Sequence, residues 1–342
     1  MRLLVIRTSA MGDVALTVPL LREMRESFPD TEMVFVTRAE FSPFFSSVEG
    51  LKFFFPDFRK HHKGFTGLLR LYSDLNKQGR FDYVIDLHDV LRSQILRFLF
   101  RISGVRVKKI DKGRREKRLL IKGKGKLRLK HTVERYADVF ARAGFNVSLS
   151  KGPWMIPSHH ALDNALRISE ITCGINIGVA PYAKHELKMW PEEFMIALLR
   201  MISSKVNAKF WFFGGKEESE KLIDLQKKVP GSVYPGEMLD LEDELALMTR
   251  LTFMISMDSS NMHMAALAGL KVVSIWGATD PLAGFGAWMQ PEEYSVRISV
   301  DQLTCRPCTV YGAGKCWRGD HACMEWLKPE MVFKKLEEFR LW

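Results

Sequence analysis

The sequence predicts an α/β protein of two domains, each a parallel sheet covered by helices. Three observations point that way. The chain has 342 residues, about twice the ~150 typical of one domain. Short strand-like apolar runs alternate with amphipathic helical stretches along its whole length, which is the rhythm of βαβ units. That rhythm lapses over residues 146–160, where Pro153 and Pro157 sit in a stretch without periodicity and mark a linker. Apolar residues make up 46% and charged residues 27%, a globular balance that argues against disordered or fibrous architectures. No run approaches the ~20 apolar residues that a membrane-crossing helix needs.

The elements follow in order. Met1-Arg-Leu-Leu-Val-Ile-Arg7 is too short and too quickly polar for an export signal and is expected as a strand over 3–7. Further strands are expected at 33–37, 52–55, 83–87 and 105–110, with helices at 16–27, 67–77 and 91–102 between them. Pro19 falls inside the first helical pattern, so that helix starts late or kinks there. After the linker, a helix over 161–171 opens the second block. Its strands are expected at 174–180, 209–213, 253–257, 271–276 and 295–299, and its helices at 192–203, 217–228, 242–249 and 262–268. Pro329 starts a final amphipathic helix over 329–339. The expected domains are 1–155 and 156–326, with the tail 327–342 packing back on the first.

Doubly wound sheets bind ligands at the carboxyl ends of their strands, so functional residues should lie just after strands. After the first strand comes Thr8-Ser9-Ala10-Met11-Gly12-Asp13, a small-residue loop entering a helix. Its backbone N–H groups, at Met11 and Gly12, can face a phosphate. Neither G-x-G-x-x-G nor G-x-x-x-x-G-K-[ST] occurs, which excludes a nicotinamide oxidoreductase of the usual fingerprint. Asp13 suits either a helix cap or a general base. In the second block, Lys184, His185 and Lys188 precede the helix opened by Pro191-Glu192, and such cations can neutralise a diphosphate or simply stay solvated. Met257-Asp258-Ser259-Ser260-Asn261-Met262-His263 follows a buried strand and opens a helix. Asp258 or Ser259 can cap that helix, and its start favours an anion that His263 could also reach.

The formal net charge is +11, and it is concentrated. From Arg106 to Lys130 there are 13 Lys/Arg against Asp111 and Glu116, so the remainder is near neutral. Such a block attracts phosphates, acidic lipid or nucleic acid, unless it is only a solubilising loop. No aromatic lies between Val105 and Thr132 to stack on bases, which favours an anionic membrane or acidic glycolipid over nucleic acid. Five cysteines without an export signal suggest a reducing compartment, the cytoplasm. Four of them, Cys305, Cys308, Cys316 and Cys323, have a spacing that could hold a structural zinc, with His321 between the last two, or they are reduced thiols. Cys173, beside a strand, is expected in the core.

Taken together, five pieces in order along the chain resemble glycosyltransferase family 9, the lipopolysaccharide core heptosyltransferases. They are Arg2-Leu-Leu-Val-Ile-Arg-Thr-Ser-Ala-Met-Gly-Asp-Val14, Asp86-Leu-His-Asp-Val-Leu-Arg92-Ser93, Lys188-Met-Trp-Pro-Glu192, Asp258-Ser-Ser-Asn-Met-His263 and Gly277-Ala-Thr-Asp-Pro281. The resemblance implies a GT-B fold, two Rossmann-like domains whose parallel sheets face a central cleft, with the donor bound mainly by the second. It implies Asp13 as catalytic base and Lys188 beside the donor phosphates. Asp258, Ser259, Ser260, Asn261 and His263 match the donor motif, and Asp86, His88, Arg92 and Ser93 match an acceptor-side motif. The family's Asp-Thr-Gly reads Asp258-Ser259-Ser260 here, which puts a side chain where the family carries glycine. The implied activity is inverting transfer of a heptose from an ADP-activated donor to a lipid-linked lipopolysaccharide core acceptor. No cofactor beyond the nucleotide sugar is required. The enzyme would act at the cytoplasmic side of the inner membrane, which the basic block helps it meet, and no nucleic-acid partner is expected. Two other readings use the same residues: a glycosyltransferase with another nucleotide sugar or surface glycan, and a nucleic-acid-binding protein with a zinc-bearing tail.

Overall fold

The computed structural model describes every residue except 124–127 and 172. The chain divides into two compact units, Met1–Lys112 with Thr132–Met155, and Gly113–His131 with Ile156–Trp342. Chain contacts thus change hands at Met155–Ile156, and the segment Gly113–His131 groups with the second unit although the sequence places it in the first.

The first unit holds a five-stranded parallel sheet in the order β3-β2-β1-β4-β5. Its strands are β1 (Arg2–Ile6), β2 (Glu32–Val36), β3 (Lys52–Phe54), β4 (Tyr83–Asp86) and β5 (Arg106–Lys109). β1 is central, and Leu3 to Ile6 are buried on both faces, as the unbroken apolar run requires. Ile6 stands in register with both Val36 and Asp86, so the loops leaving β1 and β4 emerge side by side.

The single helix expected over 16–27 is two, α1 (Met11–Ala15) and α2 (Val18–Ser27). Pro19 sits in the first turn of α2, where its missing N–H costs nothing. α3 (Gly64–Lys77) and α4 (Leu91–Ile102) cover one face of the sheet. There Leu68, Leu71, Leu75, Leu96 and Phe100 close a core with Leu4, Ile6, Val34 and Val84. The basic stretch contains a helix of the second unit, α5 (Arg114–Ile121), and α6 (Thr132–Ala141) then packs on α2.

The second unit holds a six-stranded parallel sheet, β11-β10-β9-β6-β7-β8. Its strands are β6 (Ile175–Ala180), β7 (Ala208–Phe212), β8 (Ser232–Val233), β9 (Phe253–Met257), β10 (Val272–Ile275) and β11 (Ser295–Val296). The helices are α7 (His159–Ser169), α8 (Glu192–Lys205), α9 (Ser219–Lys228), α10 (Leu241–Met248), α11 (Ser260–Leu267), α12 (Ala322–Glu325) and α13 (Pro329–Phe339). The tail helix belongs to the second unit. α13 lies on α8 and buries Val332 and Leu336 in the second unit's own core, together with Leu198 and Ile202. Cys173 is exposed rather than buried, because the chain is still turning into β6 at that point.

Candidate functional site

In the first unit the site grows from the turn after β1. Arg7 is 5% exposed, and its guanidinium donates to the Leu87 carbonyl, which leaves the neighbouring strand, at 2.7 Å. The same guanidinium forms an ion pair with Asp13, whose side chain is 41% exposed. Burial disfavours the Arg7 charge. Tyr136, Asp13 and Asp86 outweigh it and hold its pKa above the ordinary arginine value. Asp13 is the third residue of α1, whose N-cap is Ala10, so it is not a helix cap. The Tyr136 hydroxyl, from α6, donates to the Asp13 carbonyl at 3.1 Å. Backbone and side chain of Asp13 are thus both held from behind while its carboxylate stays open to solvent. Met11 and Gly12 occupy the first turn of α1, where amides lack intrahelical partners.

The acceptor-side residues separate into two groups. His88, Arg92 and Ser93 line one cleft at the carboxyl end of β1, together with Thr8, Phe58 and Leu68. His88 lies within 3.1 Å of the Thr8 hydroxyl through Nδ1 and within 3.3 Å of the Ser9 hydroxyl through Nε2. Burial, with Arg7, Lys112 and Arg92 adding to it, pushes the His88 pKa down to about 3, so its imidazole is neutral. Arg92 stacks over the Phe58 ring at 4.9 Å. Ser93 accepts from the Val90 N–H at 3.0 Å and fixes the start of α4. Asp86 differs from these in being part of the framework. It is fully buried, accepts the amides of His88 and Asp89 at 2.9 Å each, and pairs with Arg97 at 2.7 Å. Its hydrogen-bonding capacity is spent on shaping the loop that presents His88.

In the second unit, three adjacent strands deliver three side chains to one place. Lys188 ends a 3₁₀ turn after β6, Asp258 follows β9, and Thr279 follows β10. Lys188 Nζ lies 2.8 Å from Asp258 Oδ2, to which the Thr279 hydroxyl also donates at 2.7 Å. Gly312, at φ +81°, lets its loop cross the aliphatic stem of Lys188, because a Cβ there would come within 2.6 Å of it. Asp258 is therefore not the cap of α11, and Ser259, the N-cap residue, makes no capping hydrogen bond through its hydroxyl. Its Oγ lies 3.3 Å from that of Ser256 instead. Ser260 and Asn261 form the first turn, leaving their amides to an anion, and His263 is buried in the next turn.

Four supporting residues carry no role in the sequence reading, although Arg7 and Thr279 stand inside quoted motifs. Arg7 and Tyr136 hold Asp13, Thr279 holds Asp258, and Arg306 braces the loop after β10. Arg306 donates to the carbonyls of Gly277 at 2.9 Å and Thr279 at 3.0 Å and faces Asp280. Tyr136 and Arg306 are far from the motifs in sequence, so no local pattern links them.

Cys305, Cys308, Cys316 and Cys323, the candidate zinc ligands, do not bring three sulfurs within 4.8 Å of one another. All five cysteines are free. Among the described residues, only His61, His62 and Asp74 bring three possible ligand atoms within 4.8 Å of one another. Burial pushes Cys323 up to about 12, against the pull of Arg306 and with the thiols of Cys308, Cys305 and Cys316 adding to it. His61 and His62 do not make a ready metal site either. His62 Nδ1 accepts the Asp57 amide at 3.0 Å, so Nε2 carries the proton it donates to Asp74 at 3.3 Å.

Comparison with known proteins gives the family and the fold. A family model described as glycosyltransferase family 9 (heptosyltransferase) matches residues 68–313. Lipopolysaccharide heptosyltransferase 1 of Escherichia coli K12 is 23% identical over 303 residues, covering 84% of this chain and 91% of that protein. A family 9 glycosyltransferase from Veillonella parvula superposes with a TM-score of 0.76 at 19% identity, over 99% of this chain and 97% of that one. The structure of E. coli heptosyltransferase WaaC with ADP-2-deoxy-2-fluoro heptose superposes with a TM-score of 0.66 at 19% identity, over 99% and 100%. These structures share the two-sheet α/β architecture of the GT-B class seen here. On the family match, which spans most of the chain, this glycosyltransferase belongs to family 9, the heptosyltransferases.

Proposed function

We propose that this glycosyltransferase moves a heptose, or a closely similar sugar, from an ADP-activated donor to a lipopolysaccharide inner-core acceptor, inverting the anomeric carbon. Asp13 takes the acceptor hydroxyl proton as general base, and buried Arg7 keeps its carboxylate aimed. The donor's diphosphate is held by Lys188 and the amides of Ser259, Ser260 and Asn261, with His263 behind them and Asp258 orienting Lys188. The amides of Met11 and Gly12 supply further anion contacts. His88, Arg92 and Ser93 serve the acceptor side. One carboxylate suffices for a single displacement, so no covalent sugar–enzyme intermediate is part of the reading.

The observation that carries this reading is the meeting of Lys188, Asp258 and Thr279 beside the helix start at Ser260, a site built for a phosphate. ADP is named because a relative of the same fold binds an ADP-heptose analogue. An anionic bilayer is the proposed meeting place with the lipid-linked acceptor, reached through the cations from Arg106 to Lys130. Lys117 is withdrawn from that set, since it is buried over the rings of Phe285 and Tyr311, at 5.3 and 5.8 Å. Residues 124–127 of the stretch lie outside the described residues.

Calorimetry with ADP, UDP, GDP and ADP-heptose tests the donor. The expected result is selective binding of ADP, strengthened by the heptose. Preference for UDP or GDP would keep the enzyme class and overturn the ADP assignment, leaving Ser260, which replaces glycine at the helix start, as the first residue to revert.

A further inference from the structure

The outer surface of α3 and α4 is apolar in a way that folding does not require. α4 buries Ser93, Leu96 and Phe100 against the sheet. On its opposite side stand Leu91, Phe98 and Ile102, exposed by 72%, 61% and 66%. Their spacing of seven and four residues makes one stripe along the helix. On α3, Phe65 and Leu69 are exposed by 63% and 40%, also four residues apart. The two helices pack side by side, with Tyr72 of α3 against Phe100 of α4 at 4.9 Å. A soluble surface helix carries polar residues on its outer face. Here the outer face carries two phenylalanines, two leucines and an isoleucine.

The charges around this stripe select its partner. α4 contains Arg92, Arg97 and Arg101 and no acid, with Arg97 taken by Asp86 and by Asp89 of the preceding loop, and α3 contains Arg70 and Lys77 with one acid, Asp74. Asp74 is taken by Lys77 at 2.8 Å and by His61 and His62. The loop before α3 adds Arg59, Lys60 and Lys63, all exposed. A second copy of the chain would bring the same cations onto themselves. An anionic bilayer offers both a hydrocarbon edge for the rings and phosphates for the flanking arginines.

We infer that the α3–α4 face of the first unit docks on an anionic lipid bilayer, inserting Phe65, Leu69, Leu91, Phe98 and Ile102 at the headgroup boundary. This contact is distinct from the basic stretch of residues 106–130, and it does not depend on which sugar is moved. Electrostatic attraction alone fades with salt, whereas inserted side chains keep a hold at high ionic strength.

The test is co-sedimentation of the full chain with vesicles of phosphatidylglycerol and phosphatidylcholine, at low and at 1 M salt, beside the variant Leu69→Ser/Phe98→Ser/Ile102→Ser. All three positions are exposed, so the variant's melting temperature and circular dichroism should match the parent. The expected result is binding to anionic vesicles that persists in part at 1 M salt and drops at least about tenfold in the serine variant. Phe98→Leu, which stays apolar, should keep it. Equal binding of parent and serine variant, abolished in both by salt, would overturn the proposal and leave the basic stretch as the membrane contact. So would no vesicle binding by the parent. A parent that is dimeric by light scattering and a serine variant that is monomeric, with vesicle binding unchanged, would assign the face to self-association instead.

Discussion

The Arg7 guanidinium grips Asp13 across the turn that joins β1 to α1, while it is itself anchored on the Leu87 carbonyl of the adjacent loop. A buried cation and a half-exposed carboxylate give Asp13 a fixed direction without hiding it. Register explains why the anchor is there. Ile6 lies opposite Asp86 in the sheet, so Leu87 is the first residue that a side chain at position 7 can reach.

Arg7→Ala should therefore cost more than one contact. It leaves the Leu87 carbonyl without its donor, opens a cavity under Tyr136 and frees the Asp13 side chain. We expect a loss of about 2 kcal/mol in urea unfolding and a fall in transfer rate of about 100-fold or more. Retained stability with unchanged transfer would show that Asp13 needs no support.

Lys188→Ala should weaken nucleotide binding about 10- to 100-fold, the equivalent of about 1.4–2.8 kcal/mol, as read by calorimetry. Thr279→Val should give a smaller loss in the same direction, because it leaves Asp258 in place with one donor fewer. Gly312→Ala should also weaken the nucleotide, through strain at φ +81° and displacement of the Lys188 stem, although residue 312 is assigned no ligand contact.

Acid should destabilise the fold through two histidines. His88 and His131 are each pushed down to about 3, chiefly by burial. The unfolded chain, with histidines near 6.5, binds protons that the fold refuses between those values. Their contribution is complete above about pH 6.5 and is lost as the pH falls toward 3, by at most about 1.4 kcal/mol per pH unit for each. Thermal melts from pH 8 to pH 4.5 should show the decline, and His88→Gln should make it shallower. An identical slope in that variant would mean His88 titrates normally.

Much of this was legible in the sequence because buried parallel strands are continuous apolar runs and functional loops follow them. Asp13, Lys188 and Asp258 stood out by that rule, and the family resemblance supplied the roles expected of them. Their partners did not, because partnership is a tertiary fact. Tyr136 reaches Asp13 across 123 residues, and nothing near either residue signals it. Other misses have local causes. The dense Lys/Arg content around α5 hides its apolar stripe, although Lys117 and Leu120 are buried. β8 is two residues long, too short for any alternation to show. The cysteine spacing suggested a metal, but spacing does not set distance. Asp86 matched a motif, and only its burial against Arg97 shows it to be a strut.

Asp13 is proposed as the base of a sugar transfer whose donor is held elsewhere in the chain. The most direct measurement compares Asp13→Asn with the parent in two assays, transfer from ADP-heptose to a lipopolysaccharide core acceptor and calorimetric binding of ADP. Asparagine keeps the size and loses the basicity. Transfer should fall by at least about 1,000-fold, with ADP binding within about twofold of the parent. Near-normal transfer by Asp13→Asn would contradict it.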